Sequence, residues 1–274
     1  MPQTDAAVRA AFAPAKINLA LHVTCQRADG YHALDSLVVF ADIGDHLQLT
    51  PGDALTLAVS GPFATGVPTD ARNLALQAAH LAEWRGHITL DKHLPHGGGI
   101  GGGSSDAGAI LRALGFTGDA LPLGADVPVC QFGRAAWMSG VGDDIRPAPQ
   151  VPNFAAVLVN PRVHVSTPQV FRRLAHKDNP PLQPPPAPGS EAVAWLEWLA
   201  AQRNDLEDAA QRIAPAITDV LGAIRQTADV RLSRMSGSGA TCFGLYPSAS
   251  AAQAAAEALT ARRPDWWVRA TELS

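Results

Sequence analysis

Leu94-Pro95-His96-Gly97-Gly98-Gly99-Ile100-Gly101-Gly102-Gly103-Ser104-Ser105-Asp106-Ala107 is the stretch on which the fold of this chain turns. Six of the nine residues from Gly97 to Ser105 are glycine, and the last two are serine. Without a Cβ the backbone can come close to a ligand and take positive φ. Ala107, Ile110, Leu111 and Leu114 follow with helical spacing, which predicts a helix over Ser104 to Leu114 directly after the glycines. The free N–H groups at the start of such a helix attract anions. The hydroxyls of Ser104 and Ser105 can cap that helix or bind phosphate or a metal ion. Together these features describe an anion cradle suited to the phosphates of a nucleotide.

Other glycine loops fit less well. Gly97, Gly99 and Gly102 match G-x-G-x-x-G, but in so glycine-rich a run the match is nearly automatic. A dinucleotide fold places that loop after its first strand, with an acidic residue about 20 positions on. Here a long stretch of other structure comes first, and Asp119 sits in a turn. No lysine follows the glycines, so the loop is not a Walker A motif. A flexible loop without a ligand would keep many glycines at an entropic cost for no return.

Outward from the loop, Phe12 to Cys25 alternates like a strand, Asp29-Gly30 marks a turn, and Leu34 to Phe40 and Leu47 to Val59 read as further strands. Asn73 to Trp84 reads as a helix ended by Gly86, and His87 to Asp91 as a short strand. Val127 to Phe132 and Ala135 to Ser139 read as short buried segments, and Phe154 to Val159 as a strand. Asp178 to Ser190 holds six prolines in thirteen residues and reads as a loop or linker. Glu191 to Ala200, Leu206 to Ala214 and Ala216 to Gln226 look helical. Val230 to Met235 and Cys242 to Tyr246 read as a strand pair around a glycine turn. Ala251 to Arg262 reads as a helix capped by Ser250, and Trp266 to Thr271 as a last strand. Strands, then helices, then a mixture make an α+β pattern.

The chain has 274 residues, enough for one large domain or two fused lobes. With 47% hydrophobic and 17% charged residues it is globular in composition. A net charge of −4 gives no basic surplus, so nucleic acid is not expected as a partner. Three scattered cysteines, Cys25, Cys130 and Cys242, give neither a disulfide framework nor metal-ligand spacing, and a reducing cytoplasm is expected. Met1 to Ala11 lacks the apolar core of a secretory signal. No run of 18 or more apolar residues exists, so no membrane association is expected.

Pro14-Ala-Lys-Ile-Asn18 sets a lysine and an asparagine in an otherwise apolar strand. Alternate residues share a face, so Lys16 and Asn18 point the same way. An interior lysine needs a partner, whereas a lysine at a sheet edge would reach solvent. Asp126, in Gly124-Ala-Asp-Val-Pro128, lies among small and apolar residues where a helix could start, and could be a plain N-cap. Met235-Ser-Gly-Ser-Gly-Ala240 is a second glycine-rich turn, either a hairpin or a further contribution to a phosphate site.

In this order, Pro14-Ala-Lys-Ile-Asn-Leu19, the loop from Leu94 to Ala107, and Met235 to Ala240 resemble the three segments of the GHMP kinase superfamily. The resemblance runs over nearly the whole chain. Arg27-Ala-Asp-Gly-Tyr-His32, the doubled Gly-Gly-Gly, Leu123-Gly-Ala-Asp-Val-Pro128 and Gly140-Val-Gly142 narrow it to one branch. In that branch the acceptor is 4-(cytidine 5'-diphospho)-2-C-methyl-D-erythritol, and the pathway is non-mevalonate isoprenoid synthesis.

The resemblance implies a two-lobed α+β fold, residues 1–150 and 151–274, with ATP and substrate in the cleft between lobes. It implies transfer of the ATP γ-phosphoryl to the 2-hydroxyl of the methylerythritol unit, with Mg²⁺ bridging phosphate oxygens. Lys16 and Asp126 would be the catalytic pair. Pro95, His96, Gly97, Gly98, Gly99, Ile100, Gly101, Gly102, Gly103, Ser104 and Ser105 would hold the ATP phosphates, with Asn73 near the adenosine. Ser105 is the candidate metal ligand. Asn18, Tyr31, His32 and Phe171 would contact the cytidyl substrate, the two aromatic rings sandwiching the cytosine. Homoserine or mevalonate kinase activity, and a non-catalytic nucleotide-binding module, are the alternatives. Asp29-Gly30-Tyr31-His32 argues against the first, and retention of both Lys16 and Asp126 against the second.

Overall fold

The computed structural model describes residues 7–274, so part of the Met1 to Ala11 stretch lies outside the described residues. In chain order the elements are β1 (Arg9–Gln26), β2 (His32–Pro51), β3 (Thr56–Ser60), α1 (Leu74–Leu81), β4 (Gly86–Asp91), α2 (Gly102–Leu114), α3 (Val127–Phe132), β5 (Ala136–Gly140), β6 (Asp144–Pro147), β7 (Phe154–Asn160), α4 (Thr167–Arg172), α5 (Ala192–Ala201), α6 (Glu207–Ile213), α7 (Ala216–Arg225), β8 (Leu232–Met235), β9 (Cys242–Tyr246), α8 (Ala249–Arg262) and β10 (Trp267–Leu273). No helix among the described residues is long and apolar enough to cross a membrane. Cys25, Cys130 and Cys242 form no disulfide.

The chain forms two compact units that interleave along the sequence. Of the described residues, the first comprises 7–15, 43–96 and 101–133, and the second 16–42, 97–100 and 134–274. The boundary therefore falls inside β1, inside β2 and within the glycine loop.

In the first unit the end of β2 pairs antiparallel with β4, Leu47 opposite Leu90 and Leu49 opposite Ile88. β3 lies parallel to β4. Alternation along these strands buries Leu47, Leu49, Ile88 and Leu90 on one face. That face packs with Ala75 and Ala78 of α1 and Ile110 and Leu111 of α2 into one core. Leu47 to Val59, expected as one strand, is instead the end of β2 followed by β3. Pro51-Gly52-Asp53 interrupts the ladder, because proline has no N–H to donate and the next two residues favour turns. Val127 to Phe132 is the short helix α3. It comes so close to α2 that a side chain at Gly108 would meet the Cys130 backbone at 2.5 Å.

In the second unit the start of β2 pairs antiparallel with β5, and β5 with β6. Strands β10, β7, β9 and β8 lie side by side and antiparallel, with β10 also paired to β2 at Leu273 and Ala41, and carry α7 and α8. Its core gathers Val157 and Val159 of β7, Ile217, Val220, Leu221 and Ile224 of α7, and Leu259 of α8. The cap of α8 is Ser248, which accepts from Ala251 N–H at 3.2 Å, and not Ser250. The helix starts earlier than its apolar spacing suggested, and Ser250 bonds to the Ser248 hydroxyl at 2.9 Å. The proline-rich stretch 178–190 has no helix or strand, as expected. It is nonetheless tied down: Asn179 N–H donates to Val23 O at 3.1 Å, and Leu182 N–H to Asp35 Oδ2 at 2.9 Å.

Candidate active site

Lys16 and Asn18 sit in β1 at 2% and 0% exposure, so Lys16 is an interior lysine and does not reach solvent from a sheet edge. Their shared face brings Lys16 Nζ 2.8 Å from Asn18 Oδ1, to which it donates. The amide is oriented by its other end. Asn18 Nδ2 donates to Ser36 Oγ at 2.8 Å, and Ser36 Oγ donates to Ala20 O at 2.7 Å. With the donor end engaged, the oxygen is left facing the ammonium group.

The same strand meets both glycine turns. Lys16 N–H donates to Ile100 O at 3.0 Å. Asn18 N–H donates to Ser236 Oγ at 3.1 Å, and that hydroxyl donates to Gly99 O at 3.1 Å. Thr241 N–H closes the arrangement on Gly98 O at 2.9 Å. Gly99 has φ +73° and Gly237 φ +54°. A side chain at Gly99 would meet Ser236 O at 2.5 Å, and one at Gly237 would meet Gly99 O at 2.7 Å. Positive φ and close backbone approach both demand glycine here. The turn at Met235 to Ala240 is thus no isolated hairpin, since it dovetails with the Gly97–Ile100 part of the loop.

In the first unit, Gly101 has φ +65° and is the N-cap of α2, which begins at Gly102, two residues before the helix start expected at Ser104. The left-handed Gly101 ends the loop, and the next residues are already helical. Ser105 is fully buried and its hydroxyl donates to Pro14 O at 2.6 Å. His96 is exposed, and its ring hydrogen-bonds the Phe63 carbonyl. Asn73 caps α1, accepting from Ala75 N–H at 2.9 Å and donating to Pro68 O at 2.7 Å. Asp126 occupies the N-cap position of α3, but its carboxylate makes no cap hydrogen bond, so plain capping does not explain it. It is half-buried next to Val127 and Pro128.

At the turn after β1, Asp29 accepts from Tyr31 N–H at 3.0 Å, and Tyr31 itself is 67% exposed. The ring set against Phe171 is that of His32, at 4.9 Å between centroids and 27° between planes. His32 Nε2 is buried and has no hydrogen-bond partner. Burial, and then Lys177, hold the His32 pKa below the usual histidine value, which favours the neutral ring.

Sequence reasoning missed an ionic cluster beside the loop. Lys92 Nζ donates to Asp45 and, at 2.7 Å, to Asp106 Oδ2. Asp45 also accepts from the N–H groups of His93, at 2.5 Å, and Leu94, at 2.8 Å. All three side chains are at most 4% exposed. Asp106 Oδ1 is buried without a partner. Burial raises the Asp106 pKa to about 7, against the pull of Lys92 and with a push from Asp45. Lys92 Nζ lies 3.3 Å from where a Cβ on Gly102 would stand. A signal was present, because Lys92 stands in Leu-Asp-Lys-His-Leu, an interior-looking lysine like Lys16.

Two glycine turns dovetail beside the buried Lys16, and a helix starts on the left-handed Gly101. The chain belongs to the GHMP kinase family. The GHMP kinases N terminal domain matches residues 71–134 and the GHMP kinases C terminal model residues 191–265. It is similar to the 4-diphosphocytidyl-2-C-methyl-D-erythritol kinase of Dinoroseobacter shibae, 58% identical over 96% of this chain and 94% of the relative. It is also similar to that of Paracoccus denitrificans, 51% identical over 96% of each chain. A crystal structure of 4-(cytidine 5'-diphospho)-2C-methyl-D-erythritol kinase matches with a TM-score of 0.76 at 35% identity, over 97% of this chain and 99% of that one. The protein is thus a small-molecule phosphotransferase with the mixed α/β fold of its family.

Proposed function

We propose that this enzyme transfers the γ-phosphoryl group of ATP to the 2-hydroxyl of 4-(cytidine 5'-diphospho)-2-C-methyl-D-erythritol, a step in isoprenoid precursor synthesis. The observation that carries this reading is His32. Its buried, unpartnered Nε2 beside the Phe171 ring offers one hydrogen bond and one stacking surface, the two contacts a pyrimidine needs. The exposed Tyr31 ring is free to close over the base from the turn.

Phosphoryl transfer asks mainly for positioning and charge neutralisation. The amides of the glycine loop and of the α2 start meet the phosphate charge. Asp126 orients the acceptor hydroxyl and takes its proton late, since an alcohol is far less acidic than a carboxylic acid. Lys16, held by Asn18, supplies positive charge to the transferring group. Mg²⁺ would enter with ATP and neutralise phosphate charge. Among the described residues no group of three or more His, Cys, Asp or Glu could hold a metal ion. Ser105 could contact the ion only by turning its hydroxyl away from Pro14 O.

The test is ADP release by the purified enzyme with a panel of acceptors. Turnover with the cytidyl acceptor alone is expected. Turnover with homoserine or mevalonate instead would replace this assignment, and no turnover with any acceptor would favour a binding module.

A further inference from the structure

Between α5 and α6 the chain meets β1 in a single bridge, Leu21 to Asn204. Leu21 N–H donates to Arg203 O at 2.9 Å, and Asp205 N–H to Leu21 O at 2.9 Å. Asn204 is 7% exposed. Its Oδ1 accepts from Leu206 N–H at 3.0 Å, which sets the amide orientation. Its Nδ2 then donates to two carbonyls, Met235 O at 2.7 Å and Gly237 O at 2.8 Å. One amide group has two protons, and both are used.

The two carbonyls flank Ser236, the residue whose hydroxyl joins Asn18 N–H to Gly99 O. A second arm comes from Arg234, 6% exposed. Its Nη1 donates to Leu19 O at 2.7 Å, one residue past Asn18, and its Nη2 to Leu199 O at 2.9 Å and Gln202 O at 2.7 Å. Glu207 completes the grip by accepting from Met235 N–H at 2.9 Å.

We propose that Asn204, with Arg234 as its second arm, is a positioning residue for phosphoryl transfer. It holds the Ser236 turn in register, and through Ser236 it holds Gly98–Ile100 and the Lys16–Asn18 pair. The proposal rests on the kinase assignment. Asn204 touches no reacting group in this scheme. It acts by keeping two backbone carbonyls apart from each other and from the phosphate path, where a displacement of about 1 Å costs on the order of 10²-fold in rate.

The experiment compares wild type, Asn204→Ser, Arg234→Lys and Leu206→Ala. Leu206 is a core residue next to Asn204, 2% exposed, and serves as the structural control. Steady-state ADP release is measured well below each Tm, and a β,γ-imido analogue of ATP is titrated by calorimetry. Serine is too short to reach both carbonyls, so Asn204→Ser is expected to lose about 10- to 100-fold in kcat and to raise KM for ATP. Leu206→Ala is expected to lose as much Tm or more and to keep its kcat. Arg234→Lys keeps the charge but not the fork, and is expected to fall between them. Should Asn204→Ser fail to fold, Arg234→Lys carries the comparison.

Kinetic losses that simply follow the loss in Tm in all three variants would overturn the proposal. A wild-type enzyme inert toward every acceptor would defeat the kinase assignment instead. In that case weaker binding of the analogue by Asn204→Ser than by Leu206→Ala still supports the positioning role, and equal binding overturns it.

Discussion

The two units carry different kinds of buried polar network beside the glycine loop. In the second unit the hydrogen bonds that fix Asn18 run through neutral groups: the hydroxyls of Ser36 and Ser236, and through Ser236 the Gly99 carbonyl. In the first unit Lys92 lies between two buried carboxylates, Asp45 and Asp106. Neutral hydrogen bonds keep their geometry at any ordinary pH. An ionic cluster with one more carboxylate than lysine does not, because burial disfavours its surplus charge. The neutral network is therefore suited to hold its own geometry, and the ionic cluster is the part of the first unit where pH dependence is expected.

The sharpest way to separate chemistry from scaffold is Asp126→Asn. It should lower kcat by roughly 10²–10⁴, the range for a positioned acid–base group, and leave Tm unchanged. Wild-type turnover by the variant would remove Asp126 from the mechanism. Lys92→Met should do the reverse. Stranding two buried carboxylates costs about 3–5 kcal/mol of stability, read as a shift in the urea midpoint. The loss should shrink toward pH 5, where a carboxyl group can protonate. A loss equally large at pH 5 and pH 8 would mean that packing of the lysine stem matters more than its charge.

Smaller effects are expected at the proposed pyrimidine contact. Phe171→Ala should raise KM for the cytidyl substrate roughly 5- to 150-fold, from about 1–3 kcal/mol per stacked face, with KM for ATP nearly unchanged. Because His32 rests on the same ring, a loss of Tm without a selective KM effect would show that the stack is only packing. The last comparison is Asp106→Asn. The folded-state pKa of Asp106, about 7, lies above its ordinary value of 3.8. Its contribution is therefore fully present below pH 3.8 and is lost as pH rises through about 7. The variant keeps an oxygen or an amide toward Lys92 but cannot titrate. Its stability relative to wild type should rise between pH 4 and pH 8, by about a kcal/mol or more. Parallel pH profiles for the two proteins would show that Asp106 does not titrate in that range.

What the sequence made legible follows the same division. The glycine loop, the second glycine turn and the common face of Lys16 and Asn18 are contiguous patterns, and each was readable from neighbours in the chain. Asp45, Lys92 and Asp106 are brought together from β2, the end of β4 and α2, and no local pattern announces such a meeting. Asn204 and Arg234 were hidden for the same reason, since their partners lie in β1 and in the turn after β8. Helix starts were misplaced by one or two residues where local caps compete, as with Ser248 against Ser250. The apolar spacing on which those starts were placed marks the buried face of a helix and does not mark its first turn. The pairing of His32 with Phe171 depends on how the turn after β1 comes to lie against α4, which no spacing rule supplies.

The dovetail of the two glycine turns also bears on how this protein can vary. Position 99 meets the Ser236 carbonyl and the Gly239 amide, and position 237 meets the Gly99 carbonyl. These obstacles are main chain, so no change of side chain elsewhere can clear them. Compensatory pairs, which let most packed positions drift together, have no purchase here. A library that randomises residues 97–100 and 236–239 together should return glycine at both 99 and 237, each independently of the other. The turns are a locked pair in sequence space, and variation in this part of the chain will have to fall at other positions.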